Sequence, residues 1–215
     1  MFVFGIVVVF LLIHVTHSID NACEQIDGDC PTCEHPLMEG ANPVAEVRLS
    51  NESDLVKAAQ SAEYYLETLS PSQIQRFDDP KTGLHTSLFY FCCHSVLDIV
   101  RMKEAFRSMR WKSFDIEYDD FGCNIDHDGK TIYLHALPSN QTDLFAWAGL
   151  VENAMRMRNV TVNHPRKSLF HMTLARVDPK YPVDIAVANL SHTYFGSHRL
   201  CSFVFEGESF VASDC

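Results

Sequence analysis

Positive charge is what this chain has least of. Its 17 Lys and Arg stand against 28 Asp and Glu, for a formal net charge of -11. A surface so biased toward acid does not hold nucleic acid by bulk electrostatics, which excludes stable duplex binding. An anionic ligand must then be small, or be met by a local basic patch. A long hydrophobic run is also missing. Met1 to Ile13 is almost wholly apolar, but a bilayer span takes about 20 residues. No Gly-rich phosphate loop, G-x-S-x-G elbow or H-E-x-x-H helix occurs, so the common signatures of nucleotide triphosphate, serine-esterase and zinc-protease chemistry are absent. Cys30-Pro31-Thr32-Cys33 has no second C-x-x-C at zinc-ribbon spacing, which argues against a structural zinc site. No tandem repeat is visible. Nearly half the residues are apolar (47%), so a packed core is expected and wholesale disorder is not.

The apolar start, followed by His14-Val15-Thr16-His17-Ser18, fits a signal-peptide core with small residues near Thr16 and Ser18 for cleavage, although the usual basic start is missing. An uncleaved anchor is the alternative. All eight Cys follow that segment: Cys23, Cys30, Cys33, Cys92, Cys93, Cys123, Cys201 and Cys215. An even count in an exported chain points to disulfides, whose connectivity the sequence does not give. The C-x-x-C is read the same way, because no thioredoxin-like strand precedes it. Asn51, Asn140, Asn159 and Asn189 each head an Asn-x-Ser/Thr sequon. The expectation is a secreted, glycosylated, disulfide-bonded monomer that has no membrane contact once its leader is removed. It divides into a signal peptide (1–18), a Cys-rich extension (19–42) and one folded domain (43–215).

Within that domain the periodicities alternate. Residues 45–49 read as a strand. A helix starts at Ser53-Asp54 and carries Leu55, Val56, Ala59, Ala62, Tyr65, Leu66 and Leu69 at helical spacing, with Pro71 just past its end. A second helix spans 95–110, opened by Ser95-x-x-Asp98, a capping box with Asp in place of Glu. Strands follow near 113–118 and 131–136, joined through the turn signal Asp128-Gly129. Then come a helix over 141–157, a short helix near 182–190, and two closing strands near 200–205 and 208–212. The fold class is α+β, with two loosely similar halves.

Each half holds one stretch of the same kind: Leu84-His85-Thr86-Ser87-Leu88-Phe89-Tyr90, and Phe170-His171-Met172-Thr173-Leu174-Ala175-Arg176. Residues i and i+2 of a strand share a face. His85 therefore points with Ser87, and His171 with Thr173, while Thr86 and Met172 point the other way. Two such strands beside one cleft supply two imidazoles and two hydroxyls. That set suits phosphodiester chemistry without a metal or other cofactor. One imidazole takes a proton from the nucleophile, the other gives one to the leaving oxygen, and the hydroxyls hold the phosphoryl oxygens.

On these two motifs the chain resembles the 2H phosphoesterase superfamily, the 2′,5′ RNA ligase-like and cyclic phosphodiesterase group, over roughly residues 43–213. The second motif departs from that family's frequent Pro-His-hydrophobic-Thr-Leu-Ala-Arg only by Phe170, and the first has Ser87 where Thr is commoner. The resemblance implies a two-lobed fold of antiparallel sheets with flanking helices and a central cleft. It also implies a substrate that is a small nucleotide or RNA end, with a 2′,3′-cyclic phosphate or a 2′,5′ linkage.

Other residues are weaker candidates for substrate contact. Arg176 lies three residues after Thr173, so strict alternation turns it away from the His171 face; a reach to the cleft edge and a structural ion pair both remain open. Arg166 and Lys167 precede the second motif, as Lys81 precedes the first, and each either meets phosphate or is simply solvated. Tyr90 suits a stacking platform or the core, with core preferred, and Phe121 is a weaker stacking candidate. His127-Asp128 reads as a turn rather than a metal pair. His94, His135, His164, His192 and His198 belong to no recognisable constellation. A binding module that holds a nucleotide or phosphate without turnover is the competing reading.

Overall fold

The structure is a computed structural model that describes residues 23–25, 44–49, 53–76, 84–91, 95–126, 129–139, 141–160 and 170–215. The expected leader, most of the Cys-rich extension, Cys30, Cys33, Cys92, Cys93, and the sequons at Asn51 and Asn140 lie outside these residues. Asn159 and Asn189 lie within them, and both are exposed.

Among these residues ten strands form one curled sheet: β1 Glu24–Gln25, β2 Val44–Arg48, β3 Ile74–Arg76, β4 His85–Tyr90, β5 Phe114–Ile125, β6 Ile132–Pro138, β7 Met172–Val177, β8 Gly196–Leu200, β9 Ser202–Phe205 and β10 Glu208–Val211. The order across it is β1-β5-β6-β7-β4-β2-β9-β10, with β3 beside β7 and β8 beside β5. Every pairing is antiparallel except that of β1 with β5. Among the described residues four helices flank the sheet, α1 Asp54–Leu69, α2 Val96–Ser108, α3 Thr142–Met157 and α4 Val183–Leu190. The α+β class and the two-lobed antiparallel architecture with flanking helices are as the sequence implied. None of the described helices is long and apolar enough to cross a membrane.

Local chemistry sets the element ends. Ser53 Oγ accepts from the Val56 amide at the start of α1. At α2 the box is reciprocal: the Asp98 amide donates to Ser95 Oγ, and the Ser95 amide donates to Asp98 Oδ2. Three strands escaped the sequence reading for physical reasons. β1 and β3 have two and three residues, too few to show a period. β8, Gly-Ser-His-Arg-Leu, is mostly polar. β1 is fastened to β5 by the Cys23–Cys123 disulfide, and Cys201–Cys215 ties the C-terminus to the residue between β8 and β9.

Helix and sheet meet in two layers. On the α2–α3 side, Trp147 and Phe106 pack on Phe203 of β9 with ring centroids 5.0 and 4.9 Å apart, and Phe91 meets Phe205 at 5.2 Å. Complete burial of one such side chain contributes about 1.5–3 kcal/mol. On the other side, α1 lies against β3, β7 and β8, and α4 against β5. The approach of α1 to β8 is close. Gly196 has φ +131°, and a Cβ there would stand 3.2 Å from the Leu55 Cα, so both backbone conformation and space call for glycine.

Thr86 of β4 is fully buried, and its hydroxyl is hydrogen-bonded to the Tyr118 phenol of β5. Burial pushes that phenol well above its ordinary value, against a smaller opposite pull from Thr86, so it stays neutral and keeps its proton for this bond. Tyr118→Phe strands the Thr86 hydroxyl and should destabilise the protein by about 1–3 kcal/mol. Adding Thr86→Val should recover most of that loss in a denaturant-unfolding double-mutant cycle.

His198 of β8 is partly buried, and burial lowers its affinity for a proton in spite of Asp115. Below the ordinary histidine range the unfolded chain binds a proton that the folded one resists, so stability rises with pH through that range. His198→Gln should flatten this part of the stability–pH curve.

Candidate active site

The two motif strands are paired at one register position. Thr86 of β4 pairs with Met172 of β7, antiparallel, and both side chains are fully buried in the core. Antiparallel continuation sets His85 beside Thr173 and Ser87 beside His171. Directly opposed residues have Cβ atoms about 5 Å apart. All four point away from the buried Thr86–Met172 pair, and so onto one face.

Both motif strands bend at the same point. Glu46 of β2 pairs with Ser87 while its neighbour Ala45 pairs with Phe89, leaving Leu88 as an extra residue in β4. His135 of β6 pairs with Thr173 while Leu134 pairs with Ala175, leaving Leu174 extra in β7. Each bulge follows directly on the hydroxyl residue of its motif. Two consecutive buried residues mark each, Leu88-Phe89 and Leu174-Ala175. A bulge resets the alternation of side chains.

That reset decides Arg176. Strict alternation would turn it from the Thr173 face, but beyond Leu174 it pairs with Tyr133 of β6, which lies two residues from His135 on the same face. The Arg176 guanidinium sits 5.5 Å over the Tyr133 ring, within cation–π range. The Tyr133 and His135 rings are nearly parallel, 7° apart in plane with centroids 6.4 Å apart. His135 in turn meets His171, with ring centroids at 3.9 Å. Arg176, Tyr133, His135 and His171 therefore form one row along the face.

Polar contacts tie this row to the motifs. Thr173 Oγ1 and His135 Nδ1 are 3.3 Å apart. His135 is 2% exposed and His171 8%. On the other strand, Glu46 Oε2 is 3.9 Å from His85 Nε2, and the Arg48 Nε–H donates to Glu46 Oε1 at 2.8 Å. The site therefore holds the two motif histidines, with His135 against one of them, two hydroxyls and a carboxylate already engaged by a guanidinium. It can accept one proton, donate another, and offer hydroxyl donors between them.

Neither a family model nor a curated protein matches the sequence. Solved structures do match the fold. E. coli LigT complexed with NADP+ superposes with TM-score 0.53 at 12% identity, covering 81% of this chain and 95% of that one. TT0787 of Thermus thermophilus gives 0.56 at 12% identity, over 80% and 98%. Kluyveromyces marxianus Usb1 with uridine monophosphate gives 0.54 at 12% identity, over 79% and 97%. The fold is that of the 2H phosphoesterases.

On this 2H phosphoesterase fold, several sequence candidates fall elsewhere. Phe121 is 3% exposed and pairs with Ala136. Its neighbour Gly122 is the residue opposite His135, so Phe121 points into the core and is corrected from stacking candidate to core residue. Tyr90 pairs with Val44 at the far end of β4, and its side chain lies outside the described part of the structure. Lys81, Arg166, Lys167, His127 and Asp128 also lie outside the described residues.

The sequence reading missed His135, Tyr133, Glu46 and Arg48. Tyr133 and His135 did carry a signal, since they stand i and i+2 in a predicted strand, but only the pairing of β6 with β7 gives that signal a meaning. Among the described residues no three His, Cys, Asp or Glu are grouped to hold a metal ion.

Proposed function

We propose that this chain is a phosphodiesterase that acts on a small nucleotide or RNA end, at a 2′,3′-cyclic phosphate or a 2′,5′ linkage, by general acid–base catalysis between His85 and His171. The observation that carries this reading is the pairing of Thr86 in β4 with Met172 in β7, a buried pair flanked by both histidines and both hydroxyls. In the step proposed, one imidazole takes a proton from water as its oxygen bonds to phosphorus. The other imidazole protonates the ribose oxygen as the P–O bond breaks. Ser87 and Thr173 donate to the non-bridging oxygens, where charge accumulates. The two histidines end with their protons exchanged and are reset by solvent.

The ligand class follows from charge and neighbours. A net charge of -11 opposes long polyanions and favours a short one. LigT has been solved with 3′-AMP and Usb1 with uridine monophosphate, which supports a nucleotide in the corresponding cleft here. Arg176, stacked on Tyr133, sets a guanidinium at the end of the row, where it would meet a phosphate or a base. The two disulfides among the described residues, the apolar segment 1–13 and sequons whose Asn159 and Asn189 are exposed support an exported, glycosylated protein.

The test is hydrolysis, in EDTA, of 2′,3′-cyclic nucleotides, 2′,5′-linked oligoadenylate, 3′,5′-cyclic nucleotides and cyclic dinucleotides by oxidised protein. His85→Ala and His171→Ala should each lower kcat by about 10²–10⁴-fold without loss of fold, and wild-type kcat/KM should trace a bell against pH. A double variant with wild-type turnover would sink the proposal. Saturable nucleotide binding without product would favour a binding module instead. Arg176→Ala should raise KM by about 10-fold or more while kcat changes less, as expected for a lost charge-assisted contact. Arg176→Lys should recover only part, because an ammonium lacks the planar stack.

A further inference from the structure

We propose that His135 is a positioning residue that fixes which way the Thr173 hydroxyl points. The inference deepens the reading above, since it takes a phosphoryl oxygen as the hydroxyl's target. A threonine hydroxyl has one proton and two lone pairs. Thr173 Oγ1 is 3.3 Å from His135 Nδ1, and that contact takes one of two forms. If Nδ1 is bare, Thr173 donates to it, and only lone pairs face the cleft. Such a group repels a phosphoryl oxygen. If Nδ1 carries the proton, His135 donates to Thr173, and the threonine proton is free for the substrate. Only the second form gives Thr173 the donor role that a developing phosphorane charge needs.

Three observations make His135 suited to hold that form. It is 2% exposed, against 8% for His171, so it is the more enclosed of the two rings. The Leu174 bulge brings it into register with Thr173 rather than with Leu174. Its ring also lies against His171, with centroids 3.9 Å apart and planes 40° apart, which restricts rotation of the histidine that exchanges protons. His135 thus acts on the hydroxyl and on the imidazole of the second motif without touching substrate. The first motif has its own neighbour of a different kind, Glu46 beside His85.

The test pairs a spectroscopic readout with kinetics. In the ¹⁵N-labelled full chain, imidazole NMR should report His135 with its proton on Nδ1. Turnover is read on 2′,3′-cyclic AMP and on a 2′,5′-linked adenylate dinucleotide. His135→Phe keeps a ring against His171 but has no donor, and its kcat should fall about 10–100-fold with KM nearly unchanged. His135→Asn carries an amide N–H near the Nδ1 position, and its kcat should stay within about tenfold of wild type. A proton found on Nε2 with Nδ1 bare overturns the inference. So does a phenylalanine variant with wild-type kcat, or an asparagine variant that falls as far as the phenylalanine one. Should either variant fail to fold by circular dichroism, the wild-type tautomer decides. Should the wild type turn over neither substrate, the hydrolase reading fails, while the position of the His135 proton still decides this one.

Discussion

The polar face formed by the two motifs depends on one strand pairing. β4 and β7 meet where Thr86 faces Met172, and the two side chains are buried without exposure. Because a strand turns successive residues to opposite faces, burying that pair forces the residues on either side of it onto the other face. Those residues are His85, Ser87, His171 and Thr173. The hydrogen bond between Thr86 and Tyr118 secures the contact from below, through a phenol that burial keeps neutral. The core thus determines the cleft: the same pairing that excludes water from one side assembles a polar quartet on the other.

The twin bulges at Leu88 and Leu174 extend the consequence. A regular β7 would have placed Thr173 and Ala175 on the cleft face and Arg176 in the core. Burying a guanidinium there without a partner would cost several kcal/mol. With the extra residue, Ala175 is buried and Arg176 emerges over Tyr133. The bulge therefore resolves a conflict written into the sequence, where a small apolar residue and a cation stand in the wrong order for an unbroken strand.

How far the sequence alone reaches is clearest from this same segment. The doubled His-x-Ser/Thr pattern was legible because it repeats and because its i, i+2 spacing has a direct geometric meaning. Helices α1, α2 and α3 were legible from apolar spacing and from the Ser53 and Ser95 caps. The position of Arg176 was not, since a bulge is a property of two strands and cannot be seen in one. His135 was hidden for the same reason. Its i, i+2 relation to Tyr133 has no meaning until β6 is laid against β7 and Thr173 becomes its partner. Phe121 erred in the opposite direction: an aromatic in a hairpin looks available for stacking until the register shows that Gly122, not Phe121, faces the histidines.

The helices explain why the cleft cannot be divided into two independent halves. α1 precedes β4 in the chain yet packs on β7, and α3 precedes β7 yet packs on β4. Each motif strand is backed by the helix that leads into the other. A lobe cut out as a continuous segment would carry a helix without its sheet and a sheet without its helix. The two halves must therefore fold together, through contacts distant in sequence, which slows folding relative to a chain of local contacts. In return, displacement of either motif disturbs the packing of both layers, and the spacing between the two histidines is held by the whole core rather than by a hinge.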